Sequence, residues 1–122
     1  MRYLNIWPDE QGESHVRELE TRFESREGYA KDVPPVGISA ASNAGRAYLL
    51  QLPARWLGDF HTSPALQYAV QLQGRLLVTM SDGDSITSDA GTLWLLEDTH
   101  GKGHRTQVLG DEDAILLIVT IA

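Results

Sequence analysis

The feature that most limits what this chain can become is a cadence of short apolar runs, each closed by turn-forming residues. From residue 47 onward the runs are AYLLQL (47–52), ALQYAVQL (65–72), RLLVTM (75–80), SIT (85–87), TLWLLE (92–97), TQVL (106–109) and AILLIVTI (114–121). Such runs are short for helices, and several alternate apolar with polar residues, the period of a strand with one face buried. Between them stand turn residues: Gly74, the Asp82-Gly83 pair, Asp89-Ala90-Gly91, and Gly110-Asp111-Glu112-Asp113. Earlier in the chain, SHVRELETRFE (14–24) has a helix-like composition but a strand-like alternation. His15, Arg17, Leu19, Thr21 and Phe23 share one face; Val16, Glu18, Glu20, Arg22 and Glu24 share the other, which is expected toward solvent. Residues 25–36 read as a long loop, because Pro34 and Pro35 disfavour helix. Eight or more short strands with no helix between them predict an all-β sandwich or barrel.

The length of 122 residues suits one domain over 1–122 with one core. Seventeen acidic residues against ten basic ones give a formal charge of −7. A surface of that sign repels phosphate backbones and anionic lipid, so neither nucleic acid nor membrane is expected as a partner. No cysteine is present, which removes disulfides, thiolate ligands and cysteine nucleophiles. The first fifteen residues lack the apolar core of a signal peptide, and the expectation is a cytoplasmic protein. Residues 114–122, the most apolar segment, reach about half the length a helix needs to cross a bilayer.

Two stretches concentrate the chemistry. FHTSPALQYAVQLQG (60–74) holds His61, Ser63, Gln67 and Gly74; DTHGKGHRTQV (98–108) holds Thr99, His100, Gly101, Gly103 and His104. In this spacing the chain resembles the cupin family of small jelly-roll barrels. The first cupin motif, G-x5-H-x-H-x3,4-E-x6-G, aligns His61 with its first histidine, Ser63 with the second, Gln67 with the glutamate and Gly74 with the closing glycine. In the second motif, G-x5-P-x-G-x2-H-x3-N, Thr99 stands for the proline, Gly101 for the glycine, His104 for the histidine and Val108 for the asparagine. The resemblance implies a single-domain antiparallel jelly-roll barrel, with a core over 36–122 and N-terminal strands and loop over 1–35. It also implies a homodimer, with an N-terminal strand exchanged or packed at the interface. A cupin metal is held by three histidines and a glutamate, and here Ser63 and Gln67 replace two of the four. The expectation is therefore no cofactor. If one is bound, it is a single divalent ion (zinc, iron, nickel or manganese) on His61, Gln67 and His104, with His100 as a further candidate.

His61 and His104 are expected on the inward face near the barrel mouth, as catalytic residues with Gln67 as an orienting amide. Imidazole titrates near neutrality and can accept and return protons. Trp56, Phe60, Tyr48, Tyr68, Trp94 and Ser63 are expected around a ligand. Glu97 and Asp98 join them because one of the pair should face inward by alternation. Gly101 and Gly103 are expected to serve left-handed backbone or close strand approach. Three functions stay open on these residues. One is a metal-independent acid/base enzyme (isomerase, lyase or cyclase) acting on a small organic molecule. The second is a divalent-metal enzyme, and the third a non-catalytic ligand-binding or sensor domain.

Overall fold

The computed structural model describes residues 1–122 and contains eleven strands and no helix. They are β1 (Arg2–Pro8), β2 (Ser14–Glu20), β3 (Glu24–Arg26), β4 (Val36–Ile38), β5 (Ala44–Leu52) and β6 (Gln67–Gln73). Then come β7 (Arg75–Met80), β8 (Ser85–Ser88), β9 (Leu93–Leu96), β10 (His104–Leu109) and β11 (Ala114–Ile121). A six-stranded sheet runs β2-β1-β9-β6-β11-β5, a three-stranded sheet runs β10-β7-β8, and β3 and β4 form a separate ribbon. Every pairing is antiparallel except β1 with β9. Bridges Leu57↔Gln107 and His61↔His104 add the segment before β6 to the free edge of β10.

The core lies between the two larger sheets. Ile6, Ala69, Trp94, Ala114, Leu116 and Ile118 come from one, and Leu76, Val78, Met80 and Val108 from the other. Alternation does this directly: in β7 Leu76, Val78 and Met80 point inward, and in β11 Ala114, Leu116 and Ile118 do. At the end near Gly74 a polar clip joins the sheets. Gln71 of β6 is fully buried, donates through Nε2 to the carbonyls of Gly74 and Ser88, and accepts from Ser88 Oγ at 2.7 Å. No helix is long and apolar enough to cross a membrane.

The runs from residue 47 onward all form strands, two with the same bounds and the rest with shifts of at most three residues at their ends. Two N-terminal expectations are corrected. β1 was not among the runs named above, although Leu4 and Ile6 both serve the core. In β2 the faces are reversed: Ser14 is fully buried and Val16 packs on the core, while His15 and Arg17 lie over Trp7 on the outside. Register explains the reversal, since Val16 sits opposite the inward Ile6. As the outermost strand, β2 covers the core with only its first half, so the charges of its second half are no guide to which face is buried. It ends at Glu20, and Phe23 instead lies exposed against Gly37 of the ribbon. Residues 27–35, with Pro34 and Pro35, form the loop between β3 and β4. Within the single chain β1 pairs with β2 and β9, and β2 forms the outer edge at this end of the large sheet.

Candidate functional site

Between the sheets lies a cavity of about 350 Å³. Its floor is apolar, built from Ala69, Leu76, Leu116 and Ile118, with the indoles of Trp56 and Trp94 as walls. His61, Pro64, Tyr48 and Leu50 line it and are also solvent-exposed, which marks its mouth. The polar lining comes from Ser63, Gln67, His104 and their neighbours Thr62 and Thr106. No Lys, Arg, Asp or Glu lines it.

His104 opens β10 and is held from three sides. Its backbone pairs with Met80, and it exchanges two hydrogen bonds with His61, at 3.0 and 2.9 Å. Gly103 makes that pairing feasible: its φ is +78°, and a Cβ there would stand 2.0 Å from the His61 carbonyl oxygen. The His104 ring is buried and its Nδ1–H donates to Asp98 Oδ2 at 2.6 Å. Asp98 is itself completely buried, and Ser14 Oγ donates to the same oxygen at 3.1 Å. The other oxygen, Oδ1, has no partner. A buried carboxylate with so few donors makes the His104 bond a strong, charge-assisted one. It also fixes the tautomer, leaving Nε2 as a proton acceptor. His61 is exposed; its Nδ1–H donates to the Asp59 carbonyl at 3.0 Å, which likewise leaves Nε2 free. The two imidazole centroids are 4.9 Å apart, with the rings inclined at 54°.

The loop before His104 is packed against the turn between β1 and β2. Gly101, at φ +90°, approaches Gly12 so closely that a Cβ would lie 2.3 Å from its carbonyl oxygen, and Lys102 N–H donates to that carbonyl. Glu13 sits lower than an ordinary carboxyl because the Ser81 hydroxyl, and then Lys102, hydrogen-bond it. His15 bridges Asp9 and Asp82 at 2.7 Å each. Its pKa is raised, chiefly by the hydrogen bond to Asp9, and Asp9 is lowered chiefly by the same bond.

Of the residues singled out in the sequence, the fold brings His61, Ser63, Gln67, His104, Trp56, Trp94 and Tyr48 together around the cavity. Phe60 lies outside it, exposed, with the Arg105 guanidinium 5.6 Å above its ring. Tyr68 is outside too: Gln67 and Ala69 take the inward positions of β6, so the residue between them points away. Asp98, rather than Glu97, is turned toward the histidines, and it acts from behind His104 rather than from the wall. Glu97 accepts from Asn5 Nδ2 at 2.9 Å. His100 is exposed at the loop tip. Sequence reasoning missed Ser14, and no local signal marks it, since it meets Asp98 across 84 residues of chain.

No group of three or more His, Cys, Asp or Glu side chains is positioned to hold an ion. Ser63 Oγ donates to the Ala65 carbonyl, and His104 Nδ1 is committed to Asp98. What faces the cavity is two imidazoles and an amide, with no anionic side chain in the wall. These donors fall short of the three histidines and one glutamate that hold a cupin metal.

The structure matches a solved cupin domain, that of Cnp3 from Schizosaccharomyces pombe. The TM-score is 0.51 at 16% identity, over 87% of this chain and 70% of that one. The chain has a cupin-like fold. No family model and no curated protein matches the sequence. At this identity the match speaks for the fold alone, and the cupin-like barrel shares with its neighbour an architecture, not a known activity.

Proposed function

We propose that this cupin-like barrel binds a small organic molecule in its cavity and moves a proton on it without a metal. The observation that carries the reading is the buried Asp98–His104 pair at 2.6 Å, aimed from behind at an otherwise apolar cavity. Asp98 holds Nδ1–H and stabilises the imidazolium that forms when Nε2 takes a proton from the ligand. That imidazolium then returns the proton at a second atom of the same ligand, while the free Nε2 of His61, whose ring centroid is 4.9 Å away, accepts a hydrogen bond from it. Gln67 orients the ligand's polar group. Base, acid and orienting amide together suit isomerisation, elimination or cyclisation. The reaction would run in a space where water is scarce and charge–dipole effects are strong.

Solvent exchange tests the reading without a known substrate. The wild-type protein is incubated in D2O with a panel of enolisable ketones and lactones, followed by proton NMR. Exchange catalysed by wild type, unaffected by chelator and abolished in His104→Gln, supports it. Exchange that depends on chelatable zinc, iron, nickel or manganese would replace it with metal chemistry. Ligand binding with no exchange for any member would leave a non-catalytic binding domain.

We also propose that two copies associate through β5 and the β3–β4 ribbon. β5 is an edge strand with Tyr48, Leu49 and Leu50 exposed on both of its faces. The ribbon pairs with no other strand and exposes Phe23, Tyr29 and Val33. Residues 21–52 carry four bases (Arg22, Arg26, Lys31, Arg46) and three acids (Glu24, Glu27, Asp32), within a chain of net charge −7. This segment is therefore close to neutral within an acidic chain, which lowers the charge repulsion between two copies that meet there. Light scattering at micromolar concentration should give a dimer that Leu49→Lys converts to monomer; a monomeric wild type would end the idea.

A further inference from the structure

The cavity restricts the chemical class of its occupant, an inference that rests on reading the barrel as a small-molecule site. Charge is the first restriction. With no Lys, Arg, Asp or Glu in the wall, a charged ligand would surrender its hydration and gain no ionic partner. Size is the second: about 350 Å³ holds a compact molecule of one or two rings.

The third restriction comes from two unsatisfied atoms. Gln67 Oε1 and Trp94 Nε1 are buried and have no hydrogen-bond partner, and both side chains line the cavity. One is an acceptor and the other a donor. They belong to adjacent strands: Gln67 lies opposite Leu96 and Ala69 opposite Trp94, so the two side chains are diagonal neighbours on the inward face. Folded proteins leave few such groups unsatisfied, because each carries its full desolvation cost. A ligand that brings a donor beside an acceptor removes both deficits at once.

We infer that the ligand is an uncharged, mostly apolar molecule whose polar end carries an N–H or O–H next to a carbonyl-type oxygen. A carboxamide, a lactam or a hydroxy-ketone has this form. Its donor meets Gln67 Oε1 and its oxygen accepts a hydrogen bond from Trp94 Nε1–H, each side chain turning slightly to bring its covered atom to the cavity surface. The apolar body rests between Trp56 and the floor of Leu76 and Ile118, and the polar end is left within reach of His104 Nε2.

Four probes of nearly one shape test this: benzamide, benzoate, benzylamine and toluene. Each is titrated into the wild-type chain while the three indole N–H signals are followed by proton–nitrogen NMR. Trp7→Phe and Trp56→Phe identify their own signals, which leaves that of Trp94. Benzamide should move the Trp94 signal downfield and bind at least ~10-fold more tightly than the other three. Gln67→Leu should cut its advantage over toluene. Benzoate or benzylamine matching benzamide would overturn the charge argument, and toluene matching it would overturn the hydrogen-bond argument. No binding by any probe at millimolar concentration would overturn both. Benzamide binding as expected, in a protein that catalyses no deuterium exchange, would uphold the ligand class and sink only the proton-transfer reading.

Discussion

Gly103→Ala should be among the most damaging single-methyl additions in this molecule, and its cost can be worked from two sources. The residue sits at φ +78°, where an L side chain costs roughly 1–2 kcal/mol. The new methyl would also stand 2.0 Å from the His61 carbonyl oxygen and 2.3 Å from its carbon. Both atoms are backbone, so the strands must part by about 1 Å, using the ~3 Å limit for real Cβ contacts. The two His61–His104 hydrogen bonds, at 3.0 and 2.9 Å, are the first casualties, at about 0.5–1.5 kcal/mol each. The sum is roughly 2–5 kcal/mol. At about 4 °C per kcal/mol for a chain of this size, the midpoint of thermal unfolding should fall by roughly 8–20 °C. Gly91→Ala is the matched control. Its φ is +95° with nothing within 4 Å of the added carbon, so only the backbone cost of roughly 1–2 kcal/mol applies. Urea or thermal melts of the two variants decide the matter. If Gly103→Ala costs no more than Gly91→Ala, the close approach of loop and strand described above is wrong.

Other outcomes follow from the same geometry. In Asp98→Asn, nitrogen NMR should show His104 changing its tautomer balance, because Nδ1–H loses its anionic acceptor; an unchanged ring would mean that Asp98 does not set it. Gln71→Leu leaves Ser88 Oγ and two carbonyls without their partner and should cost about 2–4 kcal/mol in urea unfolding; a neutral result would show that water replaces the amide. The turn between β1 and β2 should be most stable from about pH 4.5 to 6.5. Asp9 and Glu13, with lowered folded values, stabilise above their ordinary pKa values of 3.8 and 4.5 and lose this as pH falls further. His15, with a raised folded value, stabilises fully below its ordinary 6.5 and loses this as pH rises through the folded value. Hydrogen exchange at residues 9–15 in wild type and His15→Gln measures both limbs, and the variant should lack the alkaline one.

The sequence was most legible where chain-local rules decide the structure. Strands β5 to β11 follow from period-two alternation and Gly or Asp-Gly turns, and the histidines with Gln67 came into register through motif spacing. It was least legible where long-range packing decides. Asp98 and Glu97 could not be told apart, because the choice depends on Ser14, which arrives from β2. The faces of β2 came out reversed because charges on an edge strand reflect solvent on both sides, and only pairing with Ile6 shows which side is covered. Phe60 and Tyr68 were assigned to the wall by residue type, whereas the phase of β6 and the exposed bridge segment turn them outward. Gly12 gave no signal at all until Gly101 was found against it.

The hydrogen-bonded clip between Gln71 and Ser88 ties the two sheets together at the end away from His61 and Tyr48. The mouth of the cavity lies beside His61 and Tyr48. On the proposed function traffic is single-file: a spent molecule has to back out before a fresh one can dock, and an excess of it blocks the cavity by simple occupancy. Any tail too long for the cavity has to trail past the imidazole of His61. A chemist attaching a dye or a resin linker would anchor it on the end of the ligand nearest that ring, since the opposite end meets the apolar floor of Leu76, Leu116 and Ile118.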